Sequence, residues 1–281
     1  MAASAAVSAQ EAQQMPFIRN LASSGSSSSL PEYIQMPQRL TMTSPKSDRK
    51  LRTESLSSLQ AFLSSRRSIT PLDARKLWTG LYYALWMTDR PRPQQALAAD
   101  LANLLSDLQP ACVEPWLAAF WSVLGTQWPH IEALRLDKFL LLVRRVFAAH
   151  VRLVKEQGYQ GDLTAQILAV FARWCFDAED EEKVALGLRL HVLDVWVDEL
   201  EREGAVAAAQ DNEHAKAFVQ AVGALVDTLK RCPVKSLRQR AQDSYDDERL
   251  PWAEKKDDDD EDDEMEGAEG DEDDEWGGID N

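Results

Sequence analysis

The stretch LRLDKFLLLVRRVFAAHVRLVK, residues 134–155, decides the fold class. At 100° per residue, its apolar side chains fall on one face of a helix. That face comprises Phe139, Leu140, Val143, Val146, Phe147, Val151 and Val154. A helix with one apolar face needs other elements to cover it, so the stretch predicts a helical protein with a buried core.

The opposite face of the same helix is basic. Lys138, Arg145 and Arg152 recur every seven residues, with Arg135 alongside and Arg144 flanking. Such a face contacts RNA phosphates or an acidic protein surface, or it is a solvated face with salt bridges to neighbouring helices, and charge alone leaves both open. The candidate RNA- or partner-binding residues, which we call the basic stripe, are Arg135, Lys138, Arg144, Arg145, Arg152 and Lys155.

The amphipathic pattern continues on both sides of this stretch. From Asp48 onward, apolar residues recur at three- and four-residue spacing, which predicts successive helices. Thr70, Pro71 and Asp73 together make a helix start, with a capping hydroxyl, a proline in the first turn and an acidic partner. Further helices are predicted at residues 113–127, 129–156, 162–177, 185–203, 212–232 and 234–247.

No segment alternates in the manner of a strand, so the sequence predicts an all-α fold of about nine helices. Short links between helices favour a HEAT-like stack, because two helices with their links take roughly 40 to 45 residues. No self-similar repeat is visible, so an irregular helical bundle stays open. The tryptophans on several of these helices are expected to pack in the core.

Composition divides the chain into one helical domain, residues 15–252, and segments that are predicted to be disordered. These are an Ala/Ser/Gln arm at 1–14, a Ser- and Pro-rich flexible insertion at 25–47, and an acidic tail at 253–281. Residues 257–281 hold 16 of the 47 acidic residues and no Lys or Arg, which leaves 31 acidic against 31 basic residues elsewhere. The net charge of -16 therefore belongs to the tail.

Motifs for catalysis or cofactor binding are missing from the sequence. There is no H-E-x-x-H, P-loop, G-x-G-x-x-G or G-x-S-x-G pattern, so we expect no enzyme, no cofactor, no metal and no small-molecule substrate. His191, Asp194 and Asp198 share a helical face, for which a polar surface is the simpler interpretation than a metal site. No run of about 18 apolar residues predicts a membrane span.

Three sequence blocks resemble the nucleolar ribosomal RNA-processing protein one family. They are KLWTGLYYALWMTDRPRPQQALAADLANLL at 76–105, WLAAFWSVLGTQWPHIEALRLDKFLLLVRRVF at 116–147 and GLRLHVLDVWVDEL at 187–200. The resemblance implies an all-helical, non-catalytic assembly factor of the nuclear large ribosomal subunit precursor, required for pre-ribosomal RNA processing in the nucleolus. It also implies as partners the precursor particle and other assembly factors, and it leaves direct contact with pre-ribosomal RNA open.

Two departures from the family accompany the resemblance. Residues 25–47 intervene between the segments FIRNLASS and DRKLRTESL, which run together in family members, and the chain ends in acid where many relatives carry basic extensions. Two other functions stay open beside the scaffold: a helical adaptor that binds only proteins, and an acidic-tail chaperone without direct RNA contact.

Overall fold

The computed structural model describes residues 45–253, and this part of the chain is helical without any strand. The ten α-helices are α1 (Pro45–Ser65), α2 (Pro71–Trp86), α3 (Pro91–Asn103), α4 (Pro110–Gln127), α5 (Ala133–Glu156), α6 (Asp162–Val170), α7 (Leu186–Arg202), α8 (Ala205–Asp211), α9 (Glu213–Leu229) and α10 (Lys235–Tyr245). Short 3-10 turns lie at Leu104–Asp107 and Trp128–His130, and a π turn at Phe171–Cys175. The predicted all-α class is confirmed.

Helices that are next but one along the chain pack side by side. In one layer α2 packs against α4 and α4 against α6; in the other α3 packs against α5 and α5 against α7, and α10, three helices after α7, continues this layer. Such pairing is that of a two-layered stack, as in helical repeat proteins. Of the two predicted arrangements, the structure has the HEAT-like stack. The sequence missed α8, which is only seven residues long and follows the left-handed Gly204.

Proline and capping residues set the helix starts. Thr70 accepts a hydrogen bond from the backbone N–H of Asp73 at 3.1 Å and donates one to the Asp73 carboxylate at 2.8 Å, as predicted. Helix α1 begins at Pro45, so its first three residues, which the sequence assigned to the insertion, are helical. The predictions for residues 1–44, which include residues 15–24 of the predicted domain, and for residues 254–281 fall outside the described residues.

One continuous hydrophobic core runs through the stack. The predicted packing of tryptophans in this core is confirmed for all but one of them. Trp78, Trp86, Trp116, Trp121, Trp174 and Trp196 are buried, and Trp128 is half-buried at the turn before α5. None of the helices between residues 45 and 253 combines the length and the apolar character needed to cross a bilayer.

The segment after α10 folds back onto the stack. The Trp252 ring stacks on Tyr245 with ring centres 5.0 Å apart, and its Nε1 donates to the Tyr245 carbonyl oxygen at 3.0 Å. The same ring covers Gly223 of α9 so closely that a Cβ at Gly223 would lie 2.2 Å from it. The close approach therefore requires glycine at this position.

Gly223→Ala should lower the free energy of unfolding by roughly 1–3 kcal/mol, because the added methyl displaces the Trp252 ring. Gly125→Ala in α4 is the matched control, since its Cβ would meet only Val184 at an ordinary 3.7 Å. The control should be neutral or stabilising by up to about 1 kcal/mol through helix propensity. Urea unfolding measures the free energy of unfolding of both variants. In a protein that already carries Trp252→Ala, Gly223→Ala should no longer lower the free energy of unfolding. A penalty that persists there would show that Trp252 is not its cause.

Candidate RNA- and partner-binding helix

Helix α5 is central to its layer, and its apolar face is the one that the sequence predicted. The predicted side chains from Phe139 to Val154 are buried, except for Leu140, which is half-buried. The Leu140 carbonyl oxygen lies 3.0 Å from Nε2 of His191 in α7. The basic stripe is therefore carried by a helix whose neighbours are α3 on one side and α7 on the other.

Lys138 lies inside the protein, although the sequence placed it on the exposed basic face. Its side chain is 2% exposed. The ammonium donates to the carbonyl oxygens of Trp86 at 2.6 Å and Thr88 at 3.0 Å, at the C-terminal end of α2. Carbonyl oxygens at the C-terminal end of a helix lack partners in their own helix. A cation at that end also interacts favourably with the helix dipole. The expected exposure of Lys138 is wrong, because the turn after α2 covers this part of α5.

Burial lowers the pKa of Lys138 to about 8, and the Asp89 carboxylate, 3.5 Å from Nζ, opposes part of that shift. The same turn engages Arg135, which is mostly covered. Its guanidinium pairs with Glu132 and with Asp89 at 3.8 Å, and lies 5.3 Å from the centre of the Trp86 ring. These two residues of the basic stripe thus fasten α5 to the end of α2.

Arg144 joins α5 to the acidic half of α7. Its guanidinium donates to Asp198 at 3.0 Å and to Glu199. The Glu199 side chain is 0% exposed and also pairs with Arg202 at 2.7 Å. A buried carboxylate without such partners would destabilise the fold by several kcal/mol. Arg144 therefore stabilises the fold by pairing with the buried Glu199 carboxylate.

The C-terminal part of the basic stripe contacts the end of α7. Arg152 donates to both carboxylate oxygens of Glu203, at 3.1 and 2.8 Å, and to Asn103 at 3.2 Å. Lys155 donates to the Glu203 carbonyl oxygen at 2.8 Å. The acidic segment 194–203, which the sequence could not place, thus lies against the basic stripe and neutralises much of it.

Arg145 differs from the other five candidates. It is exposed on the outer surface of α5, and within residues 45–253 no hydrogen bond or ion pair engages its guanidinium. The structure thus brings five of the six candidates into contacts between helices and leaves Arg145 available to another molecule. RNA or partner binding by the stripe stays a prediction.

Sequence reasoning missed a second arginine that holds this cluster together. Arg249, beyond α10, pairs with Asp198 at 3.1 Å, Glu201 at 2.6 Å and Asp247 at 2.7 Å. The hydrogen bond that Arg249 donates to the Asp247 carboxylate is the main cause that raises the pKa of Arg249. Arg249 lies beyond the last predicted helix and 51 residues from Asp198 along the chain, so helical periodicity gave no signal of this contact.

Two of the histidines, His150 and His191, contact other parts of the protein. Among the described residues, no three His, Cys, Asp or Glu side chains are arranged to hold a metal ion. Asp194, one of the three residues considered for a metal site, pairs with Arg240.

His150 is fully buried, with Nδ1 at 2.6 Å from the Val146 carbonyl oxygen and its ring stacked on Phe171. Because a carbonyl oxygen only accepts, the proton sits on Nδ1, and burial lowers the pKa of His150 to about 4.

Comparison with known proteins gives a family and several relatives. A family model described as "Nucleolar protein, Nop52" matches residues 33–280. "Ribosomal RNA processing protein 1 homolog A" of Mus musculus is 29% identical over 188 residues, which cover 65% of this chain and 37% of that protein. The human protein of the same name is 28% identical over 187 residues, 65% of this chain and 40% of that protein.

A third relative is "Ribosomal RNA processing protein 1 homolog" of Drosophila melanogaster. It is 32% identical over 151 residues, which cover 52% of this chain and 22% of that protein. The chain therefore matches less than half the length of each of these relatives.

Lys138→Met should lower the free energy of unfolding by about 2 kcal/mol, because the carbonyl oxygens at the end of α2 lose their donor inside the protein. Arg145→Met removes a cation from the same helix at an exposed position and should change it by less than about 0.5 kcal/mol. Urea unfolding of the two variants checks this. Equal effects would contradict the structural role of Lys138.

Stability should fall as the pH falls from 6.5 towards 4. The pKa of His150 is about 4 in the folded protein and about 6.5 when unfolded, so the unfolded chain binds the proton first. Between pH 7 and 5 the loss from His150 is about 2 kcal/mol. The lowered pKa of His191 acts in the same direction. Urea unfolding at both pH values should therefore show a smaller loss for His150→Phe, and an unchanged loss would refute the assignment.

Proposed function

Because the chain belongs to the Nop52 family of nucleolar proteins, we propose that it acts in ribosomal RNA processing as a non-catalytic scaffold of the nuclear large-subunit precursor. Family membership and the names of the relatives support the role in ribosomal RNA processing. The large-subunit precursor and the scaffold role come from the resemblance of the three sequence blocks.

The network between α5 and α7 is the observation that supports a scaffold. Arg144 and Arg152 bind carboxylates of α7, and Lys138 binds carbonyl oxygens of α2. The charged groups of this helix thus fix the arrangement of three helices. A stack held in this way presents constant outer surfaces, which suits a protein that docks on a precursor particle and on other assembly factors.

Direct contact with RNA is a smaller part of the proposal. Phosphate binding needs cations that are free to replace counterions, and of the basic stripe only Arg145 has no partner among the described residues. The same observation favours the second candidate, an adaptor that binds only proteins. The acidic-tail chaperone rests on residues 257–281, which are outside the described part of the chain.

Affinity purification of the tagged chain from nuclear extract tests the proposal. Sequencing should find large-subunit precursor RNA enriched over small-subunit precursor RNA, and mass spectrometry should find assembly factors. Those factors should stay bound after ribonuclease treatment, since protein contacts provide most of the docking. No enrichment of large-subunit precursor RNA would overturn the proposed function, and release of every factor by ribonuclease would overturn docking through proteins.

The contribution of Arg145 to RNA contact is measured in the same experiment. Arg145→Glu should lower the yield of RNA crosslinked by ultraviolet light, and Arg231→Glu, the charge reversal of another exposed arginine just after α9, is the control. An unchanged yield for Arg145→Glu would favour the adaptor that binds only proteins.

A further inference from the structure

The end of α1 carries an exposed aromatic ring with an arginine over it. Phe62, in the last turn of α1, is 39% exposed, and no other Phe, Tyr or Trp side chain between residues 45 and 253 is classed as exposed. The Arg66 guanidinium lies 4.4 Å from the centre of the Phe62 ring. Arg67 follows and is also exposed. We call these three residues the Phe62 platform.

Contacts within the protein hold the backbone of this platform in place. Leu59 and Leu63 are buried in the core, and Phe62 stands at the edge of the face of α1 that they form. The N–H of Arg66 donates to the Leu63 carbonyl oxygen at 3.1 Å, and the thiol of Cys112 in α4 donates to the Arg66 carbonyl oxygen at 3.6 Å. The backbone is therefore fixed, while the ring and the two guanidinium groups remain at the surface.

The two guanidinium groups have no carboxylate that neutralises them. The chain has no acidic residue from position 55 to position 72. Two acidic residues beyond this range are engaged elsewhere: Asp73 accepts a hydrogen bond from the capping hydroxyl of α2, and Asp107 accepts one from a glutamine of α1 at 3.1 Å. Within the described part of the chain, neither Arg66 nor Arg67 has an ion pair or a side-chain hydrogen bond. Both are therefore available to an anion.

We propose that the Phe62 platform binds a single-stranded segment of RNA. A base stacks on the Phe62 ring while the Arg66 guanidinium turns to a flanking phosphate, and Arg67 pairs with a second phosphate. Stacking of bases on exposed aromatic rings, with cations along the backbone, is how many proteins bind single strands. The inference rests on the proposed function, because it takes the RNA from the precursor particle.

Two other ligands would use only part of this surface. An acidic protein segment would pair with the two arginines but would leave the Phe62 ring without a stacking partner. Double-stranded RNA also presents phosphates, but its bases are already stacked inside the duplex. Only a single strand offers a free base face and phosphates together, so it fits the ring and both guanidinium groups.

Binding of an RNA oligonucleotide to the purified full chain tests the stacking contact. The probe is a fluorescent single strand of about twelve nucleotides, and fluorescence anisotropy measures its Kd. We expect this strand to bind more tightly than a duplex of the same length. Phe62→Leu, which keeps an apolar side chain but removes the flat ring, should weaken binding at least about fivefold, whereas Phe62→Trp should retain it.

The phosphate contacts are tested with Arg66→Gln combined with Arg67→Gln. This double variant should weaken binding and should lower the slope of log Kd against log salt by roughly 1.4, since each phosphate contact of a single strand contributes about 0.7. The matched control is Arg90→Gln combined with Arg92→Gln, at the start of α3. These arginines are also exposed and have no partner in the described part of the chain, but no exposed ring lies beside them. The control should leave Kd and slope nearly unchanged.

Three results would overturn the inference. Unchanged RNA binding by Phe62→Leu would exclude stacking on the ring. Equal losses for the control and for the variant of Arg66 and Arg67 would show general attraction by charge and no site. Polyglutamate that binds more tightly than the RNA would assign the surface to an acidic protein. Circular dichroism should show unchanged helicity in every variant, because all the substituted side chains are exposed.

Purification of the tagged chain from nuclear extract separates this inference from the proposed function. Enriched large-subunit precursor RNA, together with oligonucleotide binding that no variant changes, overturns the inference and leaves the proposed function standing. Oligonucleotide binding that depends on Phe62, without enrichment of that precursor RNA, supports the platform and counts against the proposed function.

Discussion

The buried carboxylate of Glu199 is the constraint on which the arrangement of the stack depends. It is 0% exposed and is stabilised by Arg144 from α5 and Arg202 from its own helix. Since an unpaired charge in the interior would destabilise the fold by several kcal/mol, α5 and α7 can be stable only in the register that brings Arg144 to Glu199. The pairs of Asp198 with Arg249 and of Glu203 with Arg152 extend the same register to the segment beyond α10 and to the ends of both helices.

Before the acidic tail, the chain has equal numbers of acidic and basic residues, and this neutrality is related to how the helices pack. Part of it comes from a helix rich in cations and a helix rich in anions that lie against each other, and the ion pairs between them are partly withdrawn from water. Salt screens such pairs less than it screens exposed ones. A protein built in this way keeps its shape in the ionic surroundings of a nucleic-acid particle, and its surface charge is smaller than its composition suggests.

The sequence could predict the features that depend on one helix at a time. The apolar face from Phe139 to Val154 follows from the 3.6-residue period, and the start of α2 follows from Thr70 and Asp73. The fate of Lys138 and Arg144 could not be predicted, because their partners are about 50 residues away and a helical wheel contains no neighbours. The solvated and the binding interpretation of the basic stripe look alike in sequence. Contacts with α2 and α7 show which of these residues are engaged inside the protein, and binding by the stripe stays a prediction.

Helix α5 therefore uses most of its charged side chains for contacts within the protein and not for the recognition of another molecule. Its charged side chains mostly face neighbouring helices, while Leu134, almost fully exposed, faces outwards. Replacing Arg144 or Arg152 would consequently disturb folding before it disturbed binding, and a loss of function in such variants would say little about RNA. Apolar contacts depend weakly on salt, whereas phosphate contacts depend on it steeply. An association that resists moderate salt would thus indicate apolar contacts and not the cations that first attract attention in the sequence.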